Sequence, residues 1–381
     1  MTLRRTQLYE YHREHGRLIE FAGFEMPVWY EGIIPEHNAV RNAVGIFDTS
    51  HMGRMRAEGP DAERFLNYVV TNDVSALEPG RGLYTVMCNE RGGIVDDLII
   101  YKLTPNHFFV VYNASNREKD FKWFLRHSEG FDVELKDVSD EIAMIAVQGP
   151  KALRTLEKIS SRPLSDVERF QIVELELSGV EAMAARTGYT GEDGFEVFIF
   201  DATPDRPEKA LKVWDSLLEA GEEFGIKPCG LGARDSLRLE AGLCLYGNDI
   251  DESINPLEAR LRWVVKFKKP SDFIGREALL RIREEGVKRF RVGIKMEERG
   301  IPRKGYEIWD GEGRQKIGVV TSGGYSPTLN VGIAMGYVPR EYRKLGTPVK
   351  IDIRGRLAGG KIVKFHPFYD ETKYGWRRVE G

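Results

Sequence analysis

Cysteine is scarce in this chain of 381 residues: Cys88, Cys229 and Cys244 stand far apart and form no CxxC pair. Three such thiols exclude a disulfide framework and a zinc ribbon, and their plain reading is buried apolar side chains. Long apolar runs are missing too. A membrane-crossing helix needs about 20 mostly apolar residues in succession, and the chain offers none. Met1-Thr2-Leu3-Arg4-Arg5 leads into a polar, aromatic segment without the apolar stretch of a secretory signal, so a cytoplasmic protein is the expectation. Neither sign of charge dominates. The 56 basic and 59 acidic residues leave a net −3, and nucleic-acid binders usually carry a basic excess, so that class is set aside. Neither a phosphate loop nor a Ser/His/Asp constellation is legible. The acceptors Asn248, Asp249, Asp251 and Glu252 lack the order of a calcium loop, so no metal is expected there.

What is present is enough apolar residue, 41%, and enough length for two or three cored domains. Short helices are expected at 8–15 and near 35–44, with loops for the rest of the first fifty residues. A strand at 52–58 and an amphipathic helix at 61–70, with Phe65, Leu66 and Val69 on one face, come next. Strands at 83–88, 93–103 and 107–113, joined by short turns, predict an antiparallel meander. Helix returns at 119–127, a strand at 142–147, and helices at 151–159, 207–223, 230–242 and 276–285. Residues 290–369 break into short strands punctuated by glycine, the pattern of a small β-barrel or sandwich. The class is α+β rather than doubly wound.

Three stretches carry candidate chemistry. In Gly92-Gly93-Ile94-Val95-Asp96-Asp97-Leu98, two carboxylates sit in an apolar strand. Successive side chains point to opposite faces, so at least one faces an interior or a cavity. It is either a structural carboxylate, bonded to arginine or backbone amides, or a functional one. In Arg186-Thr187-Gly188-Tyr189-Thr190-Gly191-Glu192-Asp193-Gly194-Phe195-Glu196, three glycines mark a tight loop. Tyr189 offers a stacking face, and Glu196 could accept hydrogen bonds from a flat amino-amide heterocycle; the plainer alternative is an ordinary hairpin loop. In 232–242, Arg234 and Arg238 share a helix face, and pairing with Asp235 or Glu240 is the commoner fate of such arginines. Bases interleaved with Trp263 and Phe267 between Arg260 and Lys269, together with Arg377 and Arg378, form either a solvated face or a surface for an acidic partner.

Eight stretches, in order along nearly the whole chain, resemble the glycine cleavage T-protein family. They are Leu8-Tyr9-Glu10-Tyr11-His12, 21–27 (Phe-Ala-Gly-Phe-Glu-Met-Pro), 47–53 (Phe-Asp-Thr-Ser-His-Met-Gly), 92–98, Gln148-Gly149-Pro150, 188–196, 233–251 and 321–327. The resemblance implies a three-domain, cloverleaf-like α+β fold around a central folate channel. Its expected units are 1–54 with 141–280, an inserted 55–140, and a C-terminal barrel at 281–381. It implies an aminomethyltransferase with tetrahydrofolate as co-substrate and a lipoylated H-protein as partner. It assigns catalysis to Asp97, pterin anchoring to Glu196 and folate contact to Arg234, with Tyr84, Asn113, Tyr189 and Trp263 as pocket walls. Tyr374 is a further candidate, near a more variable C-terminus. No flavin domain is present, unlike in dimethylglycine and sarcosine oxidases. The Lys-Gly-Cys signature of the folate-binding iron–sulfur assembly factors is absent, Cys244 standing in Leu243-Cys244-Leu245. The alternative is a stand-alone folate-dependent demethylase of a small methylated substrate.

Overall fold

The structure, a computed structural model, describes residues 2–378. Met1 and residues 379–381, the outer ends of the first and third expected units, lie outside the described residues. The chain is α+β, as its pattern predicts. Three larger sheets carry the fold, together with one small hairpin.

The first sheet has six strands in the order Ile172–Leu177, Val180–Ala185, Gly194–Ile199, Ala143–Gln148, Gly45–Asp48 and Lys227–Pro228. All pairs are antiparallel except the last. Strand Gly194–Ile199 is buried on both faces. Phe195, Val197 and Ile199 enter one core with Trp214 and Leu217 of helix Glu208–Gly221, while Phe198 enters another. The two-residue period therefore puts Glu196 on the Phe198 side, toward the second sheet.

The second sheet runs Arg81–Cys88, Ile94–Thr104, His107–Tyr112, Gly53–Glu58 and Glu134–Asp137. Its first three strands are the expected meander. Helices Ala62–Val69 and Arg117–His127 cover one face through Phe65, Leu66, Val69 and Phe124. Tyr101, Phe109 and Val111 on the other face meet Met144, Met183 and Phe198 of the first sheet. A bulge between Met87 and Cys88 pairs Cys88 with Ile94 but Met87 with Asp96. This extra residue, Val95, resets the alternation and fixes which aspartate faces which way.

The C-terminal strands close into a six-stranded barrel, Arg289–Met296, Val331–Pro339, Lys316–Ser326, Glu307–Asp310, Pro348–Ile353 and Arg356–Val363. Closure removes both edges and encloses Val292, Ile294, Ile308, Met335's neighbour Ala334, and Ile351.

Several elements depart from expectation. Residues 17–29, read as loop, form the hairpin Arg17–Phe21 with Phe24–Trp29, turning at Ala22 and Gly23, both with positive φ. Its first strand is exposed or half-buried throughout and its second contains Pro27, so hydrophobic alternation is weak. Helix Ile33–Asn42 begins and ends two residues earlier than read. Helix Ala152–Glu157 begins one residue later and ends two residues earlier than read. Strands Gly45–Asp48, Ile172–Leu177 and Val180–Ala185 are additions. All three cysteines are free and buried.

Candidate active site

Between the first and second sheets, helix Leu231–Ala241 and the barrel lies a cavity of about 940 Å³. That is the size of a site for a drug-sized ligand. The side chains read from sequence as site candidates, Asp97, Tyr84, Asn113, Glu196, Arg234, Tyr189, Trp263 and Tyr374, all line it.

Asp97 projects from strand Ile94–Thr104 with one neighbour for each oxygen. Tyr84 Oη donates to Oδ2 at 2.9 Å and Asn113 Nδ2 donates to Oδ1 at 2.9 Å. Asp96, on the opposite face, is fully buried. It accepts from Asn113 N at 3.1 Å, Asn113 Nδ2 at 2.9 Å and Asn116 Nδ2 at 2.8 Å. Burial, then the charge of Asp96, push Asp97 up to about 7, against the hydrogen bonds from Tyr84 and Asn113. A carboxylate so placed changes charge near neutral pH. Tyr84 stacks on Trp263 with ring centroids 5.6 Å apart, and Trp263, 57% exposed, stands at the mouth.

At the far wall, Thr187 Oγ1 donates to Glu196 Oε2 at 2.6 Å, and Tyr101 Oη bonds Thr187 Oγ1 at 2.9 Å. Glu196 Oε1 has no protein donor among the described residues and is left to the cavity. Burial raises Glu196 above the ordinary glutamate value, with Thr187 and the Arg234 charge opposing. The Arg234 guanidinium lies 4.7 Å over the Tyr189 ring, whose hydroxyl donates to Cys244 O. No carboxylate among the described residues lies within ion-pair distance of Arg234. The loop 186–194 needs its glycines: a Cβ at Gly188 would meet Gln148 Oε1 at 2.0 Å.

Arg238 takes the commoner fate. It is buried and bonds Asp235 and Asp249 at 2.8 Å each and Ser322 Oγ at 2.9 Å, tying its helix to the barrel. Glu240 is not its partner but that of Arg41. The basic strip also needs correction. Lys269 is buried and donates to the carbonyls of Asn67, Val70 and Asn72, so it is no surface base. Arg260, Arg262, Lys266 and Lys268 remain exposed.

Residue-type reasoning assigned no role to His51, Thr187 or Arg169, which also line the cavity. His51 is buried, and burial with the charge of Arg234 lowers it to about 3, so it is neutral. Its place in 47–53 was the available signal. Thr187 gave none, because only the turn of the glycine loop brings it to Glu196.

The α+β frame thus holds an ionisable carboxylate in an aromatic-walled cavity large enough for a drug-sized ligand. Residues 8–269 match the GCVT N-terminal domain, and residues 289–370 match the Glycine cleavage T-protein C-terminal barrel domain. An aminomethyltransferase of Halothermothrix orenii is 50% identical over 367 residues, covering 96% of this chain and 100% of that protein. One from Thermoanaerobacter sp. is 47% identical over 95% of this chain and 96% of that protein. The crystal structure of the glycine cleavage system aminomethyltransferase T of Bartonella henselae superposes with a TM-score of 0.89 at 37% identity, covering 98% of this chain and 99% of that one. The chain belongs to the glycine cleavage T-protein family and is an aminomethyltransferase. No helix among the described residues is long and apolar enough to cross a membrane.

Proposed function

We propose that the chain moves the one-carbon unit of an aminomethyl group, carried on the dihydrolipoyl arm of an H-protein, to tetrahydrofolate. The carbon leaves sulfur and nitrogen and ends bonded to two folate nitrogens. The two N–H protons released balance the thiol and the ammonia. The family supports this reading, and the observation that carries it is Asp97, held by Tyr84 and Asn113 in the cavity.

Glu196, with one oxygen spare, suits the amino-amide edge of a pterin. Arg234 on Tyr189 suits a contact farther along the folate, and Trp263 and Tyr374 suit walls. Ionised Asp97 then stabilises positive charge on the attacking folate nitrogen inside a water-poor site. The exposed Arg260, Arg262, Lys266 and Lys268 around the Trp263 mouth suit an acidic docking partner. The division into 1–54 with 141–280, 55–140 and 281–381 belongs to the same proposal, in which Glu196, Asp97 and Tyr374 are what the three parts lend to the cavity.

The test is ammonia release from aminomethylated H-protein plus tetrahydrofolate, wild type against Asp97→Asn. Activity that needs both substrates and collapses in the variant, with folate still bound, is the expected result. Folate binding without turnover of H-protein would sink the proposal and direct attention to small methylated substrates.

A further inference from the structure

Behind the active site, three carboxylates share one buried region. Asp97 faces the cavity, Asp96 backs onto helix Arg117–His127, and Asp120 of that helix is fully buried beside it. Donors are unequally shared among them. Asp96 has three N–H donors and Asp97 two donors, as described above. Neither oxygen of Asp120 has a hydrogen-bond partner among the described residues. The nearest cation, Lys119 Nζ, is 3.9 Å away and already donates to Val95 O and, at 2.9 Å, to Tyr246 Oη. Arg117, on the same helix, is bound to Asp140 at 2.8 Å. Tyr112 from the neighbouring strand and Tyr246 from the loop beyond helix Leu231–Ala241 complete the titratable surroundings. A buried carboxylate with no donor gives up its charge sooner than one with two or three.

We propose that Asp120 is held as the neutral acid and donates its proton in a hydrogen bond to Asp96, making it the positioning residue that sets the charge behind Asp97. Burial and the adjacent Asp96 charge both drive Asp120 far above the ordinary carboxylate range. The consequence falls on Asp97. With Asp120 neutral, Asp97 meets one neighbouring negative charge and ionises near neutral pH. With Asp120 ionised, it would meet two and keep its proton, unable to stabilise a cationic folate nitrogen.

The functional part of this inference rests on the role proposed for Asp97, so the first measurement needs no activity. Infrared difference spectra of wild type and Asp120→Asn are compared at about pH 9, where an Asp97 titrating near neutrality is ionised. A protonated-carboxyl band in the wild type that vanishes in the variant is expected. No such band, or one that survives the substitution, overturns the proposal. The second measurement is the midpoint of the acid limb of kcat. Asparagine is a neutral isostere whose amide can donate to Asp96, so the midpoint should stay within about half a unit; a fall of about one unit or more would show that a charge had been removed. If Asp120→Asn does not fold, carboxyl-labelled aspartate in the wild type is followed by NMR. One buried aspartate keeping its protonated signal to about pH 9 supports the proposal, and loss of the protonated signal of every aspartate before about pH 9 overturns it. A chain with the band but no transferase activity would refute the role of Asp97 and leave the proton on Asp120.

Discussion

Glu196 shows how little of a binding group need be spare. One oxygen is committed to Thr187 and the other is left to the cavity, so replacing it by glutamine should weaken folate binding by about 1–3 kcal/mol, read by calorimetry. Affinity equal to wild type would remove Glu196 from the site. Asp97 carries two linked expectations. Its ionised form is the active one, so kcat should fall as pH drops below about 7. Its stability effect has the opposite sense. The folded chain holds this proton more tightly than the unfolded chain does, so stability declines as pH rises from the ordinary aspartate range toward 7. Asp97→Asn should therefore lose activity yet unfold at a higher urea concentration at alkaline pH, by roughly 1 kcal/mol or more. A variant less stable than wild type there would contradict the burial argument.

At the scale of elements, helix Leu231–Ala241 joins the site to the barrel: Arg234 and Arg238, one turn apart on one face, both line the cavity, and Arg238 also reaches Ser322 of the barrel. It stops at Gly242, whose φ is +73° and whose N–H bonds Leu239 O at 3.0 Å. A Cβ there would lie 1.8 Å from Phe365 O. Gly242→Ala should cost about 2 kcal/mol or more, from the left-handed backbone and the overlap together. Urea titration of the variant checks this, and an unchanged midpoint would mean that the loop at Phe365 yields freely. The bulge at Val95 acts in the same way on the other wall. Moving it by one residue would turn Asp97 away from the cavity and Asp96 into it.

Across the whole molecule, Glu240 joins the helices to the barrel. Fully buried, it accepts from Arg41 Nη2 at 3.0 Å, Ser326 Oγ at 2.5 Å and Thr328 Oγ1 at 2.7 Å. Burial opposes its charge, but hydrogen bonds and the Arg41 and His37 charges outweigh burial and hold it below the ordinary glutamate range. The stability it contributes is present above that range and is lost as pH falls from it toward about 2. Glu240→Leu should cost about 3–5 kcal/mol by leaving Arg41 and the barrel hydroxyls short of an acceptor. Differential scanning calorimetry would show a lowered Tm, and an unaltered one would show the joint to be slack. At the mouth, reversing Arg262, Lys266 and Lys268, which do not line the cavity, should raise the Kd for H-protein at low salt and leave folate binding alone. An H-protein Kd indifferent to those charges would place docking elsewhere.

Local pattern determined much of this molecule. The meander, the amphipathic helix with Phe65, Leu66 and Val69, the α+β class and the glycine-broken C-terminal strands are all written in spacing, because each depends on neighbours a few residues away. The resemblance of 92–98 and 188–196 to a known family singled out Asp97 and Glu196. Residue types alone left them undecided between structural and functional roles. Tertiary structure decided the rest. Whether Asp96 or Asp97 faces the ligand depends on one bulge, whether Lys269 is a surface base depends on carbonyls nearly 200 residues away, and whether Glu240 pairs with Arg238 or Arg41 depends on how two helices pack. Each is a choice among partners distant in sequence, and a charge or donor acquires its energy only when folding removes water and brings that partner within hydrogen-bond reach.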